Sequence, residues 1–178
     1  MSIDLQSKEI LTNLKSTDTQ SLLETIGQIR KAGNSLVLGE LIELLHQTEV
    51  VEIKKSILNL LSELKDKPSA HALINAIKSE KYVNERAELI ACCWQNGLNY
   101  NEYLPFFIDL VINEEFLIAF EAFTVIENMT GRIEDVIIDN EVIKLNEALV
   151  NSSEQKAYLL NGLLAIIRDI PEKQEFNE

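Results

Sequence analysis

Two histidines and two cysteines are the side chains of this chain best suited to metal binding or nucleophilic chemistry. His46 and His71 lie 25 residues apart, and neither belongs to the H-E-x-x-H pattern that places two ligands on one helix face. Cys92 and Cys93 are neighbours, so on a helix their side chains point about 100° apart and cannot share a metal ion. Arg86, the nearest basic residue in sequence, lies too far away to activate a thiolate. We therefore expect no metal, no cofactor and two inert thiols.

Carboxylates are the next group that could do chemistry. Glu134, Asp135 and Asp139 lie close together, but the spacing of a calcium-binding loop is absent. If Asp135 and Asp139 were helical they would share a face and repel each other, so we expect the segment 130–139 to be partly loop. The chain has only six glycines and no phosphate-binding pattern. These observations predict that the protein is not an enzyme.

The charge is concentrated in one half of the chain. The formal net charge is −13, and residues 91–178 hold 16 acidic and 5 basic side chains, a net charge of −11. Such a field repels nucleic acid phosphates and anionic lipid headgroups. It favours a protein or peptide partner with basic side chains. The alternative is that the acidic surface serves solubility alone.

Hydropathy and cysteine usage predict a cytoplasmic protein. The longest stretch without a charged residue has 13 residues, Leu89 to Asn101, whereas a membrane-spanning helix needs about 20. The first ten residues lack the basic and apolar regions of a secretory signal. Two cysteines in 178 residues give no disulfide framework.

The candidate residues must be positioned by helices, because apolar residues recur at helical spacing along the whole chain. Six glycines and three prolines provide few turns, which argues against a β-sandwich or barrel. We therefore expect an all-α chain that forms a single domain over residues 1–178. The predicted helices lie near 4–15, 18–32, 36–47, 50–66, 69–80, 84–97, 102–113, 115–129, 140–151 and 154–170.

These helices form consecutive pairs. The second helix of each pair begins near 18, 49, 83, 115 and 153, which gives intervals of 31, 34, 32 and 38 residues. A period of this size is typical of stacked helical hairpins. The second helices 84–97 and 115–129 are apolar on more than one face, so we expect them to be covered on several sides. This favours a right-handed α-solenoid over the alternative, a bundle-like all-α domain. The five hairpins lie near 4–33, 36–66, 69–97, 101–129 and 139–170, followed by a polar tail at 171–178.

The segment 72–91, ALINAIKSEKYVNERAELIA, resembles a HEAT-type repeat. Arg86, Ala87 and Ala91 lie where that pattern has a basic residue and spaced alanines, and Lys54 lies 32 residues before Arg86 at the matching position. The resemblance implies an α-α superhelix of about five HEAT-like hairpins. It further implies that the second helices line a concave, partner-binding surface.

The polar residues on the second helices are the candidate partner-binding residues. Three of them, Glu121, Thr124 and Asn128, follow i, i+3, i+7 spacing and form one stripe on an otherwise apolar helix. The complete set is Glu88, Gln95, Glu121, Thr124, Asn128 and Asn161. The expected function is a non-enzymatic interaction module or scaffold. The alternatives are an acidic nucleic-acid mimic that inhibits a basic nucleic-acid-binding protein, and an ordinary hydrated face.

Aromatic residues concentrate in the fourth hairpin. Five of the six phenylalanines lie between residues 106 and 123, and Tyr100 and Tyr103 are close by in sequence. At helical spacing such residues are typical of a core. An exposed subset beside acidic residues would instead form an anchoring pocket for a peptide. The sequence leaves both interpretations open.

Overall fold

The computed structural model describes the backbone of residues 5–32 and 37–175. Within these ranges the chain is all-α: it contains ten α-helices and two short 3₁₀ segments, Glu80–Glu85 and Asn101–Tyr103, and no strand. The prediction of an all-helical chain is confirmed. The helices are α1 Leu5–Asn13, α2 Thr19–Ala32, α3 Leu38–Gln47, α4 Val51–Leu61, α5 Lys67–Lys78, α6 Arg86–Asn96, α7 Leu104–Asn113, α8 Phe116–Glu127, α9 Asp135–Leu149 and α10 Glu154–Glu175.

Local capping chemistry fixes several helix ends. Asp18 precedes α2, and its carboxylate accepts a hydrogen bond from the backbone N–H of Ser21 at 2.7 Å. Asp66 caps α5 in the same way, with a proline in the first turn. Gly97 ends α6 with φ +65°, a conformation that glycine adopts without strain. The breaks before Asp18 and after Gly97 were predicted, whereas the predicted break at residues 33–35 lies outside the described residues.

The predicted start of the ninth helix at residue 140 is wrong. α9 begins at Asp135, so Asp135 and Asp139 do share a helix face, and only residues 130–134 are non-helical. Both carboxylates are exposed, and repulsion between such pairs costs only a few tenths of a kcal/mol. The extra turn brings Ile138 into the core and places an acidic residue at the positive end of the helix dipole.

Two other helix ends differ from the prediction. α4 ends at Leu61 rather than near 66, and Asp66 takes the extended backbone of a helix cap before α5. α10 continues to Glu175 rather than ending at 170. The residues after Pro171 are Glu, Lys and Gln, which are polar but also good helix formers.

The first compact unit, Met1–Leu98, is built from three helical hairpins. α1 packs on α2, α3 on α4, and α5 on α6. The second helices of neighbouring hairpins also contact each other, α2 with α4 and α4 with α6, while α3 contacts α5. Leu41, Ile57, Leu61 and Leu73 are completely buried between these helices.

The second compact unit, Asn99–Glu178, contains two hairpins that repeat this pattern. α7 packs on α8, and α9 packs on α10. Again first helix contacts first helix, α7 with α9, and second contacts second, α8 with α10. Phe107, Ile108, Ala122 and Leu163 are completely buried in this core. The expectation of a single continuous domain concerns the arrangement of the two units and stays a prediction.

Candidate functional site

The six predicted partner-binding residues fall into two groups. Glu88 and Gln95 lie seven residues apart on α6 of the first unit, and both are exposed. The other four residues lie on the second helices of the second unit: Glu121 and Thr124 within α8, Asn128 at its C-terminal end, and Asn161 on α10.

The polar stripe on α8 turns its hydrogen-bond donors inward, toward its own helix. The Thr124 hydroxyl donates to the Phe120 carbonyl at 3.0 Å, and the Asn128 amide donates to the Thr124 carbonyl at 2.8 Å. On α10, the Asn161 amide donates to the Ala157 carbonyl in the same way at 2.8 Å. The atoms that remain to meet a partner are mostly oxygen acceptors, which suit lysine and arginine donors.

The aromatic residues of the fourth hairpin divide between core and surface. Tyr100 and Phe107 are buried, and their rings meet edge to face with centroids 6.0 Å apart. Phe116 and Phe120 on α8 remain 44% and 46% exposed, and Leu117 beside them is 62% exposed. α8 packs against both α7 and α10, but these three apolar side chains in its N-terminal half stay uncovered.

Two lysines of the second unit make contacts within that unit. The Lys144 ammonium lies 2.9 Å from both Asp109 and the buried Glu141. Because Lys144 lies on α9 and Asp109 on α7, their ion pair joins these two helices. Burial lowers the pKa of Lys144, whereas its hydrogen bonds to Glu141 and Asp109 raise it. The hydrogen bonds have the larger combined effect, so the pKa of Lys144 lies above its usual value. The Lys156 ammonium donates to the carbonyls of Val111 and Glu114 at the end of α7.

Burial lowers the pKa of Lys156, against a smaller opposing effect of the Glu114 carboxylate. Both lysines are thus committed to contacts within the second unit. Arg132 is the third basic residue of this unit whose side chain the structure describes, and it is exposed. The hydrogen-bond acceptors on α8 and α10 therefore lie in a unit with few positive charges.

A polar cluster in the first unit joins α3 to the 3₁₀ segment before α6. The His46 Nδ1 lies 3.1 Å from the Glu85 carboxylate, and its ring meets Tyr82 edge to face at 5.6 Å. The Tyr82 hydroxyl donates to Glu43 at 2.9 Å, and Lys81 pairs with the same carboxylate. His46 lies in the last turn of α3, and its partner 39 residues away could not be found from sequence spacing.

The pKa values in this cluster follow from those contacts. Hydrogen bonds from Lys81 and then Tyr82 lower the pKa of the Glu43 carboxyl. Burial, followed by the hydrogen bond to Glu43, raises the pKa of the Tyr82 hydroxyl. These side chains bond to one another, so the cluster stabilises the packing of the second hairpin on the third.

The two thiols of the chain are buried. Cys92 and Cys93 are 2% and 1% exposed, and the Cys92 Sγ lies 3.7 Å from the Leu58 carbonyl of α4. Burial is the main cause that raises the pKa of Cys92 to about 12, with a smaller contribution from Glu88. A thiol in this state is a poor nucleophile and a poor metal ligand at neutral pH.

No protein-family model matches the chain, and no curated protein is significantly similar to it. In the described residues, no group of three or more His, Cys, Asp and Glu side chains could hold a metal ion. Across the same part of the chain, no helix is long and apolar enough to cross a membrane.

Proposed function

We propose that the protein is a non-enzymatic interaction module whose HEAT-like hairpins form a right-handed α-α superhelix. In this proposal a protein or peptide partner binds on the second helices, along the concave surface. The contacts of α2 with α4, α4 with α6, and α8 with α10 support the stacking, because second helices of neighbouring hairpins meet in solenoids.

One observation carries the binding proposal. α8 keeps large apolar side chains exposed in a unit whose net charge is −11. Soluble proteins rarely expose clustered apolar side chains without an interaction to cover them. The acceptor-rich stripe of Glu121, Thr124 and Asn128 lies on the same helix, so apolar and polar recognition are available side by side.

Site-specific photo-cross-linking in the cell of origin tests this proposal. Benzoylphenylalanine replaces Asn161 on α10 in one variant and Asn140 on α9 in a matched control, because both are exposed asparagines of the second unit. We expect a discrete protein adduct from position 161 and none from position 140. A third variant at Gln95 of α6 tests the second helices of the first unit in the same way. The isolated partner should then bind the purified chain in calorimetry.

Adducts from position 140 alone would place binding on the first helices and contradict the proposal. The absence of an adduct from positions 95 and 161, with the variants folded, would do the same. Thermal melts of the three variants establish that each one is folded.

The second candidate function is an acidic nucleic-acid mimic. It is favoured by the −11 charge together with the internal pairing of Lys144 and Lys156, which leaves carboxylates to dominate the surface. In that case the cross-linked protein should be a nucleic-acid-binding protein. Duplex DNA or RNA should displace it from this chain, whereas binding to a different class of partner would be unaffected by nucleic acid.

A further inference from the structure

Four exposed apolar and aromatic side chains in the second unit define a surface that we name the aromatic face. Phe116, Leu117 and Phe120 lie on α8, and Tyr158 lies on α10 with 81% of its surface exposed. The rings of Phe116 and Phe120 stack with centroids 6.1 Å apart. The pair thus forms a preorganised apolar platform rather than two separate exposed residues.

Two contacts place Tyr158 on the same end of the unit as the α8 platform. The Lys156 ammonium at the start of α10 reaches the Val111 and Glu114 carbonyls, 2.6 and 2.5 Å away, next to the start of α8. Further along, Gly162 lies against Phe123, where an added Cβ would come 2.9 Å from the ring. α8 and α10 therefore run in the same direction.

Phe120 precedes Phe123 by three residues, and Tyr158 precedes Gly162 by four. In each case this is about one helical turn toward the N-terminal end. Both exposed rings therefore lie at the same level of two adjacent, parallel helices.

Carboxylates lie on the two helices that carry this face. Glu115 immediately precedes α8, Glu127 ends that helix, and Glu154 begins α10. Lys156, the nearest lysine on α10, points its ammonium at the end of α7. The net charge of −11 opposes an anionic membrane and also a second copy of the same face.

We propose that the aromatic face docks a cationic amphipathic segment of a partner protein. Bulky apolar side chains of the segment pack on Phe116, Leu117 and Phe120, while its lysines or arginines pair with the carboxylates of these two helices. The inference rests on the proposed function and specifies the chemistry of the partner. It further places the apolar anchor at the N-terminal half of α8, ahead of the polar stripe.

Fluorescence anisotropy with synthetic peptides tests the chemistry. The probe is a labelled amphipathic peptide of about 18 residues made of Leu and Lys at helical spacing. One control peptide replaces every Lys by Glu, and a second replaces every Leu by Ser. We expect the Leu–Lys peptide to bind the full chain at physiological salt, and each control peptide to bind at least about tenfold more weakly.

Matched variants of the protein test the location. Leu117→Ser and Phe120→Ser should each weaken binding of the Leu–Lys peptide by about tenfold or more, because each removes buried apolar area from the complex. Ile143→Ser on α9 is the control, since Ile143 is 58% exposed and Leu117 is 62% exposed in the same unit. The control should change affinity by less than about twofold.

Four results would overturn the inference. They are the absence of binding by the Leu–Lys peptide, equal binding of the Leu–Glu peptide, an equal loss in the Ile143→Ser control, and self-association of the chain that Leu117→Ser abolishes. Binding to anionic vesicles that equals binding to the peptide would point to a membrane instead.

Failure of the inference and failure of the proposed function are distinguishable. A protein cross-linked from position 161 that binds Leu117→Ser as well as the unmodified chain would leave the interaction module intact and remove the aromatic face. Conversely, binding of the Leu–Lys peptide at this face without any cross-linked protein would contradict the proposed function alone.

Discussion

Cys92 and Cys93 illustrate how burial controls reactivity at the scale of a single residue. With its pKa raised to about 12, Cys92 is ionised in only about one molecule in ten thousand at pH 8. We expect both thiols to react slowly with a thiol reagent in the native protein and rapidly after denaturation, as followed by absorbance. Fast native labelling of both would contradict their burial. Replacing both by alanine should lower the free energy of unfolding by roughly 1–3 kcal/mol.

Tyr82 gives a second prediction at this scale. Its hydroxyl bonds to the Glu43 carboxylate at 2.9 Å, so Tyr82→Phe should lower the free energy of unfolding by about 1 kcal/mol. Tyr158→Phe is the control, because Tyr158 is largely exposed, and it should change that free energy by less than about 0.5 kcal/mol. Urea unfolding of both variants measures the difference.

The same two variants test how the free energy of unfolding depends on pH. Because the pKa of Tyr82 is raised in the folded state, its stabilising contribution is fully present below pH about 10, the usual tyrosine pKa. It is lost as pH rises through the higher folded-state pKa. Unfolding free energies measured from pH 9 upward should therefore fall less steeply in Tyr82→Phe than in Tyr158→Phe. Equal slopes would contradict the assignment.

At the scale of helices, the contact between α8 and α10 depends on a glycine. A Cβ at Gly162 would come 2.9 Å from the Phe123 ring, whereas a Cβ at Gly27 in α2 would meet nothing within 4 Å. Gly27→Ala should stabilise the protein by about 0.5–1 kcal/mol through helix propensity. Gly162→Ala should instead destabilise it by about 1–2 kcal/mol, because the ring or the helix must move.

A double-mutant cycle separates the contact from helix propensity. In a Phe123→Ala background the ring is absent, so Gly162→Ala should become stabilising, as Gly27→Ala is. Thermal or urea unfolding of the four proteins gives the coupling. If Gly162→Ala is equally harmful with and without the ring, the close approach of Phe123 is not the cause.

Charge belongs to the scale of the whole molecule. A partner held by the acidic second helices should associate more slowly as salt rises, because the Debye length shrinks from about 10 Å at 0.1 M to about 3 Å at 1 M. Glu88→Lys and Glu121→Lys should each weaken binding of the cross-linked partner several-fold, and Glu88→Lys should do so with little change in melting temperature because Glu88 is exposed. Glu40→Lys, on the first helix α3, is the matched control and should have less effect.

Stopped-flow association and calorimetry measure these effects. The effect of Glu88→Lys tests the second helices of the first unit, and the effect of Glu121→Lys tests those of the second unit. An affinity that ignores salt, or an equal loss with Glu40→Lys, would contradict an electrostatic role for the second helices.

The sequence alone was sufficient to predict the helices and most of their ends. Apolar spacing predicted the ten described helices, and the structure confirms the predicted breaks before Asp18 and after Gly97. Such signals are local, because a cap or a glycine turn is satisfied by atoms within about one helical turn. The helix start predicted at 140 is wrong for the complementary reason: weak local repulsion at Asp135 and Asp139 loses to burial of Ile138 in the core.

Only the tertiary structure decided which of these side chains face a partner. Phe107 and Phe120 are the same residue type at helical positions, yet one is completely buried and the other is 46% exposed. Periodicity gives the angular position of a side chain on its own helix, but coverage depends on which distant segments pack there. The pairing of His46 with Glu85 and the contact of Gly162 with Phe123 each span 39 residues, and separations of this length leave no local pattern in the sequence.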